Sequence, residues 1–167
     1  HIFCNSYVSS TNFTMKIGVL TIGAELLNGA RIDTNSNWIS KTVIDHGGMV
    51  EFNISTKDNQ SSIIKALDFL LDQSIDMIIM TGGLGPTHDD ITAKTLFEYF
   101  DDIPILDEKY WNFLVSRFKK KGFKVSALNK TLALKPSNGK IIDNPIGTAR
   151  GLHFSSNKKE IIAIIKI

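Results

Sequence analysis

Residues 81–92, TGGLGPTHDDIT, gather three glycines, a proline, three threonines, a histidine and two adjacent carboxylates behind an apolar run at 77–80. Gly82, Gly83 and Gly85 allow positive φ and a close backbone approach, so successive N–H groups can face an anion. Thr81 and Thr87 add hydroxyls suited to phosphate oxygens. Asp89 and Asp90 open the next helical pattern, where a carboxylate either caps the helix or holds a divalent cation against a phosphate. Adjacent carboxylates repel each other, and a cation relieves that repulsion. His88 reads equally as a surface histidine of the loop or as an acid–base group. The pattern fits neither GxxxxGK[ST] nor GxGxxG.

Two further stretches carry candidate chemistry. In residues 23–33, Glu25 and Asp33 either supply carboxylate oxygens or accept backbone N–H groups at a turn or helix start. In residues 144–151, NPIGTARG, the backbone around Gly147 with Thr148 and Arg150 forms a second anion nest or a plain connection between strands. Asp58, ahead of a periodic helix, is a cap or a site residue. Cys4, His1, His46 and His153 lack the spacing of a metal site.

These loops need a scaffold that holds them together. Residues 16–22 and 76–81 read as buried strands, and 49–55 as a more exposed one. Helices are expected at 34–46, with Trp38, Ile39, Thr42 and Val43 on one stripe, at 59–73 capped by Asp58, at 91–100, at 107–121 and at 126–134. Short strands are expected at 140–143, 151–154 and 160–165. The alternation predicts an α/β fold of three layers, α/β/α, with a mostly parallel sheet and right-handed crossovers. The loops after the first and third strands should then open on one crevice at the carboxyl ends of the strands.

A length of 167 residues suits one domain, expected over 15–167, with 1–14 as an extension ahead of it. The formal charge of +2, without a run of five like charges, gives little support to a nucleic-acid or membrane-surface role. One cysteine rules out an intrachain disulfide and fits a cytoplasmic protein. The aromatic residues of 107–121 suggest either a homo-oligomer contact or internal packing.

Gly23, residues 25–27, Gly29, residues 33–35, the whole of 81–92, Asn144 and residues 147–149 resemble the amino-terminal domain of the CinA family, part of the molybdopterin-binding superfamily. The resemblance implies a crevice for a pterin or nucleotide. In CinA-like proteins it implies divalent-metal-dependent cleavage of the ADP-ribose pyrophosphate, with Mg, Mn or Co as cation. In relatives it implies cleavage of FAD or adenylylation of molybdopterin. It makes Asp90 and Asp89 metal ligands and adds Glu25 to the catalytic set. Thr81, Gly82, Gly83, Gly85, Thr87, Asp33, Asn35, Asp58, Gly147 and Thr148 become nucleotide or phosphate contacts. The sequence departs from the family pattern at Ala24, where the family has aspartate, and at Arg150, where it has proline. The family's carboxy-terminal amidohydrolase activity is not expected of these 167 residues. The leading expectation is a metal-dependent nucleotide pyrophosphatase acting on ADP-ribose, with molybdopterin binding or adenylylation and FAD cleavage as alternatives.

Overall fold

The run KIGVLTI forms β1 (Lys16–Ile22), buried at every residue but the first, which explains why its apolar residues do not alternate. The computed structural model describes residues 14–87, 90–156 and 158–164. β1 pairs in parallel with β2 (Met49–Thr56) on one side and β3 (Met77–Thr81) on the other. β3 pairs in parallel with β8 (Lys159–Ile164), and β7 (Gly151–Ser156) and β6 (Lys140–Ile142) continue the sheet antiparallel. The order is β2-β1-β3-β8-β7-β6. The expected parallel sheet therefore holds for four adjacent strands. Its far edge turns antiparallel because only a tight turn joins β7 to β8.

Helices cover both faces. α2 (Thr34–Asp45) lays Ile39 and Val43 on Ile17 and Val19. On the opposite face α3 (Gln60–Leu71) and α4 (Thr92–Tyr99) bring Ile63, Leu67, Leu70, Leu96 and Phe97 against Leu20, Ile78, Met80 and Ile161. Each fully buried Leu or Ile contributes about 1.5–3 kcal/mol, so this face is the larger source of stability. α5 (Glu108–Lys120) and a 3₁₀ segment (Ala127–Ala133) share a third cluster, in which Tyr110, Trp111 and Phe118 pack around Leu114 and Leu132. Those aromatic residues therefore pack within the chain, while Phe113 is half exposed.

Several local expectations are corrected. The buried stripe of α2 is Asn35, Ser36, Ile39 and Val43, and Trp38 stands half exposed beside it. The cap of α3 is Asn59, not Asp58: Asn59 has extended backbone and its carboxamide accepts from Ser62 N at 3.0 Å. α4 starts one residue later than expected and has no side-chain cap, so Asp90 serves elsewhere. The one-turn α1 (Ala24–Leu27) was not foreseen, nor was the pairing of β4 (Pro104–Leu106) with β5 (Leu134–Pro136). Three-residue strands bearing prolines show no alternation to detect.

The end of α4 is tied to this small sheet by Asp102. Its buried carboxylate accepts from Ser137 N and Oγ at 2.6 Å each and from Asn138 N and Gly139 N at 3.0 Å. Burial pushes this carboxyl up, but the four donors outweigh it and hold it below its ordinary value of 3.8. A depressed carboxyl stabilises the fold above its ordinary value, and that contribution is lost as pH falls through the lowered one. Asp102→Asn should therefore lose about 1–3 kcal/mol at neutral pH. It should also show a flatter decline of the urea midpoint below about pH 4 than wild type.

Candidate active site

β1 sends the chain outward through α2 to β2, whereas β3 lies on its other side, so the strand order reverses between β1 and β3. Ligand sites in open α/β sheets form at such a reversal, beyond the carboxyl ends of the strands. The loops after β1 and β3 enclose there a cleft of about 350 Å³.

The first loop is fixed by its own backbone. Arg31 N donates to Glu25 O at 3.1 Å, and the Asn28 side chain accepts from Ala30 N at 2.9 Å. The Glu25 carboxylate folds back over Gly23, where a Cβ would come within 2.8 Å of its Oε2. Glu25 and Arg31 both line the cleft, together with Leu26 and Ile32. Arg31 is the functional candidate that sequence reading missed; its one signal was being the sole basic residue in 23–33. Ala24 is exposed and does not line the cleft, whose acidic lining residues among those described are Glu25, Asp33 and Asp90.

Asp33 both lines the cleft and caps α2, accepting from Ser36 N at 2.9 Å. Burial raises its pKa, but hydrogen bonding at Ser36, the nearby Thr21 hydroxyl and Asn35 N–H bring it below the ordinary value. The Thr21 hydroxyl acts here as a nearby dipole, since its own short contact is with Ser55 Oγ at 2.9 Å. Asp33 Oδ2 is buried with no hydrogen-bond partner among the described residues. Asn35 is buried and reaches across the strand ends, its Nδ2 lying 3.4 Å from Thr81 Oγ1.

The glycine loop runs under severe steric limits. At Gly82 φ is 107°, and a Cβ would sit 2.2 Å from the carbonyl oxygen of Ile22. At Gly83 φ is 65°, and a Cβ would sit 2.4 Å from Thr92 Oγ1. Thr92 is fully buried and stitches the loop to α4: its hydroxyl donates to Gly82 O at 2.8 Å and its N–H to Gly83 O at 3.0 Å. Among the described residues, nothing accepts from the N–H groups of Gly83 and Gly85. Asp90 folds back above Gly85, its Oδ2 accepting from Thr87 N at 2.9 Å and from the Thr87 hydroxyl. Thr87 thus orients Asp90 and does not line this cleft.

Of the third candidate stretch, only Ala149 lines the cleft. The N–H groups of Ile146 and Gly147 are already taken by Asn144 Oδ1, each at 3.0 Å. The Thr148 carbonyl accepts from Tyr110 Oη at 2.9 Å. Arg150, expected to bring charge to the site, turns instead into the body of the protein. It pairs with Asp107 at 2.8 Å, lies 3.8 Å from the Tyr110 ring centre, and is buried. That pairing is the first cause holding the Asp107 carboxyl low. Desolvation explains the choice, since a buried guanidinium needs a carboxylate. Asp58 lies outside the cleft lining, and Asp89 and His88 lie outside the described residues.

The lining of the cleft therefore combines glycine backbone and Arg31 with the acidic residues Glu25, Asp33 and Asp90. Among the described residues no three His, Cys, Asp or Glu side chains converge as a metal cage. Carboxylate oxygens are the ligand type that a hard divalent cation takes. Gly82→Ala should destabilise by at least ~2 kcal/mol in thermal melts, because both its backbone angle and the Ile22 carbonyl oppose a side chain. Gly29→Ala, where φ is 75° but nothing lies within 4 Å, should cost about 1–2 kcal/mol.

A family model described as "Probable molybdopterin binding domain" matches residues 18–165. A CinA-like protein of Flavobacterium psychrophilum is 39% identical over 153 residues, covering 90% of this chain and 36% of that protein. Another, of Cytophaga hutchinsonii, is 40% identical over 139 residues, covering 83% and 33%. The chain thus spans about a third of the length of these relatives. Among solved structures, CinA from Thermoplasma acidophilum superposes with a TM-score of 0.77 at 29% identity, over 91% of this chain and 88% of that one. MoaB from Thermus thermophilus shares the fold, with a TM-score of 0.60 at 19% identity over 91% and 81%. The chain belongs to the molybdopterin-binding domain family, among its CinA-like members.

Proposed function

We propose that this domain binds a nucleotide through its diphosphate and hydrolyses the phosphoanhydride with the help of a divalent cation. The observation that carries this reading is the meeting of Glu25 and Asp90 in one cleft with glycine N–H groups at the β1/β3 reversal. The unengaged N–H groups of Gly83 and Gly85 would hold phosphate oxygens, and Arg31, in the same cleft, would add positive charge. Leu26 and Ile22 would give it an apolar wall. Glu25 and Asp90 would hold the cation, Mg²⁺, Mn²⁺ or Co²⁺, with Asp90 oriented by Thr87. When bound, such a cation neutralises charge on the phosphates and lowers the pKa of its water. In the reaction, water adds to one phosphorus and the bridging P–O bond breaks. Each half then leaves as a phosphomonoester, with two protons released to solvent.

ADP-ribose is the leading substrate class, and FAD the alternative. Incubation with either and each of the three cations should release AMP, detected by chromatography. Asp90→Ala should cut that release by roughly 10²-fold, the loss of about 3 kcal/mol of charge stabilisation. No AMP from any pair, or unchanged release in the variant, rejects hydrolysis. A second reading is favoured by the family description: the cleft holds a pterin or nucleotide without turnover. It predicts saturable calorimetric binding with no product.

A further inference from the structure

β2 is the last strand on its side of the sheet. It pairs with β1, and among the described residues no strand pairs with its outer side. An edge of eight residues leaves backbone N–H and C=O groups open to a further strand. Native edges are blunted by charge, bulges or proline, and here that protection is confined to the start of β2. Glu51 is skipped in the pairing with β1, where Ile17 faces Val50 and Gly18 faces Phe52, and Lys16 holds its carboxylate at 3.2 Å. Phe52, Asn53, Ile54 and Ser55 carry no charge, no bulge and no proline.

An exposed apolar side chain accompanies the middle of β2 on each face. On one face Phe69 of α3 meets Phe52 edge to face, 5.7 Å between ring centres, yet is 46% exposed. On the other face Ile44 of α2 is 62% exposed, and with Asn53 it lines a groove of about 520 Å³. Lys41 and Asp45 border the same groove. Asp33 lines both this groove and the cleft.

We propose that the β2 edge docks a second copy of this chain, by antiparallel pairing of β2 with β2 about a two-fold axis at Asn53. Such an interface is isologous, each copy giving the same patch. Opposed residues of an antiparallel pair share a face, so an axis normal to the sheet sets one residue opposite its own mate. At Asn53 this register sets carboxamide against carboxamide on the groove face. On the other face it sets Phe52 against Ile54 of the second copy. Centring on Phe52 instead brings Asn53 against Glu51, the residue outside the regular pairing. The helices run antiparallel across the axis, so Lys41 of each copy comes toward Asp45 of the other. Lys65 and Asp72, four residues before and three after Phe69, repeat that complement on the α3 side. Side chains half exposed in one copy thus cover each other in two, and two six-stranded sheets join into one.

The test is sedimentation equilibrium of the 167-residue chain, with Asn53→Lys and Ile44→Glu as variants. Both positions are exposed, and circular dichroism of each variant reports that the fold is kept. Wild type should be dimeric at about 100 µM, and each variant should raise the dissociation constant at least about tenfold, because like charges then meet across the axis. In a Cys4→Ser background, Asn53→Cys should oxidise to a covalent dimer, since opposed Cα atoms about 4.5–5.5 Å apart lie within disulfide reach. Lys120→Cys, on α5, should not. A wild type that stays monomeric at that concentration overturns the proposal, as does an assembly whose dissociation neither variant changes. Cross-linking at Lys120→Cys as fast as at Asn53→Cys overturns it too.

Discussion

The carbonyl of Ile22 and the α-carbon of Gly82 come too close for any side chain between them. This one contact sets how β1 and β3 end, since the last residue of one strand presses on the turn that leaves the other. Everything proposed for the cleft depends on it. The tight exit gives Gly82 and Gly83 positive φ, aligns the loop above the strand ends, and brings its carbonyls within reach of Thr92. A wider turn would part the two loops and the cleft between them.

Around this contact, the chain commits many of its polar side chains to architecture. Asp33, Asn59 and Asp107 cap helices, and Asp102 gathers a turn. Arg150 and Asp107 join the turn after β6 to α5, aided by Tyr110 and Arg117. Two guanidinium nitrogens of Arg150 still lack partners among the described residues, which is a cost that its aromatic contact and ion pair must offset. Glu25, Arg31 and Asp90 differ in that they line the cleft, Asp90 being held only by Thr87 of its own loop. Charge beside unengaged backbone donors is what separates a binding site from a turn.

The layered fold was legible because strands buried on both faces and periodic helices leave strong patterns, as in residues 16–22 and 60–71. The glycine loop was legible because only glycine tolerates the angles at 82 and 83. Less was legible where neighbours compete for one role: Asp58 and Asn59 are adjacent and either could cap α3, and backbone conformation chose Asn59. The turn around Gly147 has the composition of an anion nest, yet its N–H groups are satisfied by Asn144 three residues earlier. No local pattern could reveal that Arg150 would meet Asp107, 43 positions away. Arg31 was hidden for the converse reason, since a single basic residue in a loop carries no pattern at all.

The position of β8 has a kinetic meaning. The strand that follows β7 in the chain slots between β7 and β3, pairing Met77 with Glu160 across more than eighty residues. Until residues 159–164 have been made, β3 presents an unpaired, largely apolar edge, and the inner sheet is open at its centre rather than at its rim. Such late, non-local closure is slow, because the loop entropy of bringing distant segments together precedes the reward. A nascent chain of this protein therefore carries its most aggregation-prone edge throughout synthesis of α4, α5 and β7, and gains its protection only when the final parallel pairing forms.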